Sequence, residues 1–179
     1  MNDPINIRYL LHSEIDKSKW DSCIEHATNG LVYAYSFYLE AMSKNWDALV
    51  LNDYEAVMPL TWNKKYGIYY LYQPFLTAQS GLFGNNINPD LLEQFLNAVP
   101  KKFQYWDICL NQGNVFPVAN FTLFQRSNFV LNLNKPYAEL YNGYNENVRR
   151  NVKKAEQAGC ITLKKFQVEK VIELASEQM

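Results

Sequence analysis

Hydrophobic and polar positions change period several times along this chain, and each change marks an element. Ile5 to Leu11 reads as a first strand. From Asp16 to Ala27, Trp20, Cys23, Ile24 and Ala27 recur at helical spacing, with Asn29-Gly30 closing the helix. Ser36 is the expected N-cap of a second helix, Phe37 to Lys44. Three strand-like runs follow: Trp46 to Leu51, Tyr54 to Trp62 and Gly67 to Tyr72. Asn52-Asp53 and the stretch from Asn63 to Gly67 supply the turns between them. Pro59 cannot donate to a ladder, so the second run is expected at an edge or with a bulge.

Pro89 to Val99 is the clearest helix. Asn88 stands at the cap, Pro89 at the first helical position, and Leu92, Phe95, Leu96 and Val99 form one face. Phe103 to Leu110 predicts a strand and Asn111 to Asn114 a loop. Two alternating runs, Phe121 to Gln125 and Phe129 to Leu133, predict two more strands. One strand, two helices, three strands, a helix and three strands predict an α/β fold. Its sheet is expected to be largely antiparallel, partly parallel and flanked by helices.

The pattern restarts after Leu133. Asn134 is the expected cap of a short helix, Pro136 to Asn142, ended by Gly143. A charged helix, Asn145 to Ala158, stops at Gly159. On it Val148, Val152 and Ala155 fall within about 60 degrees of one another, with Arg149, Arg150, Lys153 and Lys154 on the other side. Cys160 to Phe166 predicts a strand and Val168 to Gln178 a further helix. The expected division is a subdomain over 1–133 and a linker helix with the first elements of a second unit over 134–179. Two helices and one strand cannot form a sheet of their own. The reading therefore treats the chain as the N-terminal piece of a longer protein, or as a homodimer joined through 134–179.

Composition narrows the class. With 48% hydrophobic and 15% aromatic residues in 179, the chain has material for one ordinary domain with a sizeable core. A net charge of −1 argues against a generally nucleic-acid-binding surface. From Glu146 to Lys165, however, six Lys and Arg face two acids. Cys23, Cys109 and Cys160 are odd in number and have no CxxC spacing, as in reduced cytoplasmic proteins. His12 and His26 have no metal-motif context. The N-terminus has no basic region followed by an apolar run, and no apolar stretch is long enough to span a membrane. The expectation is a soluble, cytoplasmic protein without a metal.

The string from Arg149 to Gly159, RRNVKKAEQAG, following the strand NFVLNL and a short helix, resembles the junction between the two GNAT-like halves of FemABX peptidyltransferases. The runs DKSKWD (16–21), WDALVLNDYEAVMPL (46–60) and KKYGIYYLYQPF (64–75) resemble FemAB-like proteins of Bacteroidetes-type bacteria. The resemblance covers nearly the whole chain. It implies a GNAT-like fold and an acyl- or aminoacyl-transferase acting on cell-wall precursors. The donor would be acyl-CoA or aminoacyl-tRNA and the acceptor a UDP-linked muropeptide or another amine, with no covalently bound cofactor. An alternative is a catalytically inactive GNAT-like domain that binds a nucleotide-sugar or a protein partner.

Lys44-Asn45-Trp46 stands where the family has a Lys-x-Trp against the acceptor's diphosphate. A lysine gives point charge to phosphate and an indole a stacking face. The plainer reading makes Lys44 a helix-end cation and Trp46 a core residue. Arg149, Arg150, Lys153 and Lys154 are candidates for phosphate or tRNA contact, against a solvated helix face. Tyr66, Tyr69, Tyr70, Tyr72 and Phe75 either line a sugar-binding cleft or alternate between core and surface. Where the family has a Gln-Gln-Leu-Gly-like segment, the chain reads Ala78-Gln79-Ser80-Gly81. As a phosphate loop, Gln79 to Gly84 has the wrong glycine spacing and reads better as turn plus strand. The sequence assigns no catalytic residue.

Overall fold

The structure, a computed structural model, describes residues 6–161 together with Glu169, Lys170, Glu173 and Ser176. Residues up to Gln125 form one compact unit and those from Arg126 another.

The first unit is a mixed α/β layer structure. Its strands are β1 (Ile7–Leu10), β2 (Trp46–Leu51), β3 (Ala56–Lys65), β4 (Ile68–Tyr72), β5 (Phe83–Gly84) and β6 (Phe103–Asp107). Its helices are α1 (Lys17–His26), α2 (Ser36–Met42) and α3 (Pro89–Ala98). The sheet runs β1-β2-β3-β4-β6, with β5 on β3. Among the described strands all pairings are antiparallel except β4 with β6, so the sheet is open and mostly antiparallel, as expected.

The helices form where the sequence supplies their ends. The Asp16 carboxylate accepts from the Ser18 and Lys19 amides at 3.0 and 3.1 Å, and Asn88 Oδ1 accepts from Leu91 N at 2.9 Å. Ser36 departs from its expected role. It opens α2 but does not cap it, because its amide and hydroxyl both donate to the Asp21 carboxylate at 2.7 Å. The tie binds α2 to α1.

Successive residues of β2 face two cores. Ala48, Val50 and Trp46 pack with Trp20, Ile24 and Leu39 under α1 and α2. Leu49 and Leu51 pack with Met58, Leu60, Leu71, Phe95 and Leu96 under α3. A strand covered on both faces shows no polar alternation, which is why Trp46–Leu51 is buried throughout.

The β3–β4 hairpin is tighter than expected. β3 continues to Lys65, opposite Ile68, and Tyr66 and Gly67 make a two-residue turn with φ of 51° and 84°. Pro59 pairs with Ala48 in unbroken register, so there is no bulge. On its other edge β3 meets β5 at Ala56 and Val57 and β4 from Trp62 on. Pro59 falls between these two ladders, where a missing N–H costs least.

The expected strands at 121–125 and 129–133 do not form. Both stretches lie outside any ladder among the described residues. Phe121 stacks on Trp106, but Phe124 is 84% exposed and Phe129 94%. Their alternation is that of a strand, yet a strand needs a neighbour to pair with.

In the second unit, α4 (Tyr137–Gly143) precedes α5 (Glu146–Gln157). Pro136, not Asn134, occupies the N-cap position of α4, with no side-chain cap. Asn145 Oδ1 caps α5 at Val148 N (2.9 Å), and Gly159 ends it at φ 75°, a left-handed conformation glycine adopts freely. The strand expected at Cys160 to Phe166 falls mostly outside the described residues. Of the helix expected at Val168 to Gln178, the four described residues are helical.

Candidate functional site

Lys44 lies just past the C-terminus of α2, exposed and with no ion-pair partner among the described residues. Its amide donates to the Tyr72 hydroxyl at 3.2 Å, which joins the end of α2 to the end of β4. The chain after β4 then turns sharply. Tyr38 on α2 donates its hydroxyl to Leu76 O at 2.8 Å, and Gln73 Nε2 donates to Thr77 O at 2.8 Å. Gln73 Oε1 accepts from Cys109 N at 2.9 Å, so the loop is tied across itself, to α2 and to the segment at Cys109. Leu76 has φ 59°, an uncommon conformation for a bulky residue.

The held loop displays apolar side chains. Phe75 is 81% exposed, Leu76 68% and Phe37 on α2 59%. Phe75 and Leu76, in the loop tied to α2 through Tyr38, make an apolar platform, and Lys44 follows α2 with its amide on the Tyr72 hydroxyl. Such surface stacks on sugar or base rings while the ammonium meets phosphate.

Trp46 is not part of that platform. Its indole is 3% exposed and packs against Trp20 and His12, each at a ring-centre distance of 5.2 Å. It has no free face for a ligand ring, because β2 is covered on both sides. The plainer reading of Trp46 as a core residue describes its position; Lys44 alone of the pair meets solvent. The tyrosines likewise separate. Tyr69 packs with Trp62 on the α3 side, Tyr70 and Tyr72 pair at 6.1 Å, and Tyr66 stands in the turn, 92% exposed. They do not line one cleft.

Gln79 to Gly84 is turn and strand. The Ser80 amide donates to Cys109 O (2.7 Å), Leu82 N to Asn114 Oδ1 (2.8 Å) and Gly84 N to Asn29 Oδ1 (3.1 Å). Amides already satisfied by the protein make no anion nest. Gly81 is required here: φ is 97°, and a Cβ would lie 2.4 Å from Asn114 Oδ1.

A groove of about 850 Å³ beside α1 is lined by Ser18, Cys23, His26, Tyr54, Asn85 and Leu91, among others, and shares no residue with the platform. Lys19 spans its rim to Asp53, at 2.7 and 2.8 Å. Burial pushes the Cys23 thiol up to about 11, the opposite of an activated nucleophile.

In the second unit the four cations of α5 are not equivalent. Arg149 turns back onto α4, its Nη2 donating to Asn142 O at 2.5 Å and its guanidinium 5.8 Å from the Tyr141 ring centre. It meets one C-terminal carbonyl of α4 and is engaged structurally. Arg150, Lys153 and Lys154 are exposed, and none has an ion-pair partner among the described residues. Arg150 donates to Asn147 Oδ1 at 2.7 Å. Val148, on the opposite stripe, is 38% exposed.

Among the described residues no helix is long and apolar enough to cross a membrane, and no cluster of metal-ligating side chains occurs. In comparisons with family models, curated proteins and solved structures, the chain matches none.

Proposed function

We propose that the chain is part of a FemABX-type, GNAT-like acyl- or aminoacyl-transferase acting on cell-wall precursors. The observation that carries this reading is the string RRNVKKAEQAG on α5, set after an α/β unit with the order strand, two helices, antiparallel meander, helix, strand. In this scheme the lone pair of an acceptor amine attacks the activated acyl carbonyl. An amide bond forms, the thiol of CoA or the terminal hydroxyl of tRNA leaves, and the amine gives up its proton. No covalent enzyme intermediate is needed. Lys44 holds the diphosphate of a UDP-linked muropeptide, the Phe75–Leu76 platform meets its apolar and ring surfaces, and Arg150, Lys153 and Lys154 meet phosphates of tRNA.

The platform also favours a second reading, a GNAT-like domain that binds a nucleotide-sugar or protein partner without chemistry. Phe75 and Leu76 present exposed apolar surface of the kind recognition uses. Calorimetry with acyl-CoA, aminoacyl-tRNA and a UDP-linked muropeptide tests the proposal. Binding of a donor and of the acceptor supports a transferase, and binding of the muropeptide alone supports the silent domain. Heat from none of the three would sink the transferase reading.

A further inference from the structure

Lys102, in the turn between α3 and β6, places its ammonium in a cage built from five strands. Its Nζ lies 4.9 Å from the ring centre of Tyr9 on β1, 5.6 Å from Trp62 on β3, 5.9 Å from Tyr69 on β4 and 4.8 Å from Phe103 on β6. It donates to the Tyr9 hydroxyl at 2.6 Å and lies 3.7 Å from Asp47 Oδ2 on β2. Asp47 is 3% exposed and is fixed by the Tyr9 hydroxyl and, at 3.1 Å, by the His12 amide. The Trp62 indole N–H is buried without a hydrogen-bond partner.

Four rings within reach of one cation and a buried carboxylate behind it are what an alkylammonium group needs: electron-rich faces around it and one full negative charge. A merely solvated lysine has no such enclosure. The Lys102 side chain remains 37% exposed, so its stem enters from solvent and the cage is open on that side. Lys64 Nζ also lies 4.6 Å from the Tyr69 ring centre, which sets the local charge against dications.

We propose that this cage is a binding site for a monovalent alkylammonium group, primary or methylated, and that Lys102 is its tethered occupant, displaced when a ligand cation enters. The inference stands apart from the transferase reading, since it uses none of the platform or α5 residues. The tether makes Lys102 a competitor at high effective concentration, so removing it raises affinity for an outside cation.

The test uses tetramethylammonium, followed by tryptophan fluorescence in the wild type, in Lys102→Met and in Lys102→Met with Asp47→Asn. The single variant should bind at least about tenfold more tightly than the wild type, and the added Asp47→Asn should abolish that gain. No binding to Lys102→Met, equal affinity in both proteins, or a gain that survives Asp47→Asn overturns the proposal. The wild type supplies a readout that does not depend on folding of a variant. Excess tetramethylammonium chloride, compared with matched sodium chloride, should expel Lys102 and speed its acetylation relative to Lys101, read by mass spectrometry. An unchanged ratio refutes displacement.

Discussion

Trp20 shows how one side chain can fix a layer. It is fully buried, and its indole N–H donates to Ala34 O at 2.7 Å, so it packs α1 on the sheet and also satisfies the carbonyl of the 3-10 turn before α2. Trp20→Ala removes both and should cost about 3–5 kcal/mol, measured by urea unfolding. A loss under about 1 kcal/mol would mean the α1 core repacks around the gap. Tyr9 carries a pH signature. Burial first, then the hydrogen bond to Asp47 and the charges of Asp47 and Glu14, hold its hydroxyl well above the ordinary tyrosine range. As pH rises past about 10 the unfolded chain loses this proton before the folded one, so stability falls with pH there. Melting scans between pH 9 and 11 should show that fall, and Tyr9→Phe should flatten it. Identical alkaline limbs in the two proteins would place the effect elsewhere. Cys23, half-buried and shifted up to about 11, should react with thiol reagents at neutral pH far more slowly than exposed Cys160.

At the scale of elements, what the sequence made legible was local. Asn88 caps the helix it precedes and Gly159 stops α5, as read, because each decision is settled within four residues of chain. What escaped depends on distant partners. Ser36 has the chemistry of an N-cap but is claimed by Asp21, 15 residues earlier. Phe121 to Leu133 has the alternation of two strands, and alternation does not supply a neighbour. The Lys102 cage draws on five strands, so no spacing rule reveals it; its only local sign is a lysine beside Phe103. Arg149 could not be told from Arg150 by charge, and only its reach to Asn142 separates them. A double substitution therefore sorts the α5 cations. Lys153→Ala with Lys154→Ala should weaken tRNA binding and reduce its salt slope by about two, while leaving the melting temperature unchanged. A salt slope equal to the wild type's would return this face to a solvated surface.

At the scale of the whole molecule, the sheet is covered on both faces, and Lys44 and the Phe75–Leu76 platform are exposed at its margin with α2. The fold class was legible because period changes survive tertiary context. The platform was half legible: Lys44 from the family resemblance and Phe75 from its aromatic stretch, but not Leu76, which the fold of the 73–77 loop exposes. Trp46 was the misleading partner, a large aromatic whose strand is buried on both sides. The central claim is that this platform holds a nucleotide-linked cell-wall precursor through Lys44. The most direct test is calorimetric titration of a UDP-linked muropeptide into wild type and Lys44→Ala at low and high salt. Binding to the wild type should weaken with salt, and Lys44→Ala should bind more weakly with a flatter salt dependence. Equal affinity and equal salt dependence in both proteins would contradict it and leave Lys44 a helix-end cation.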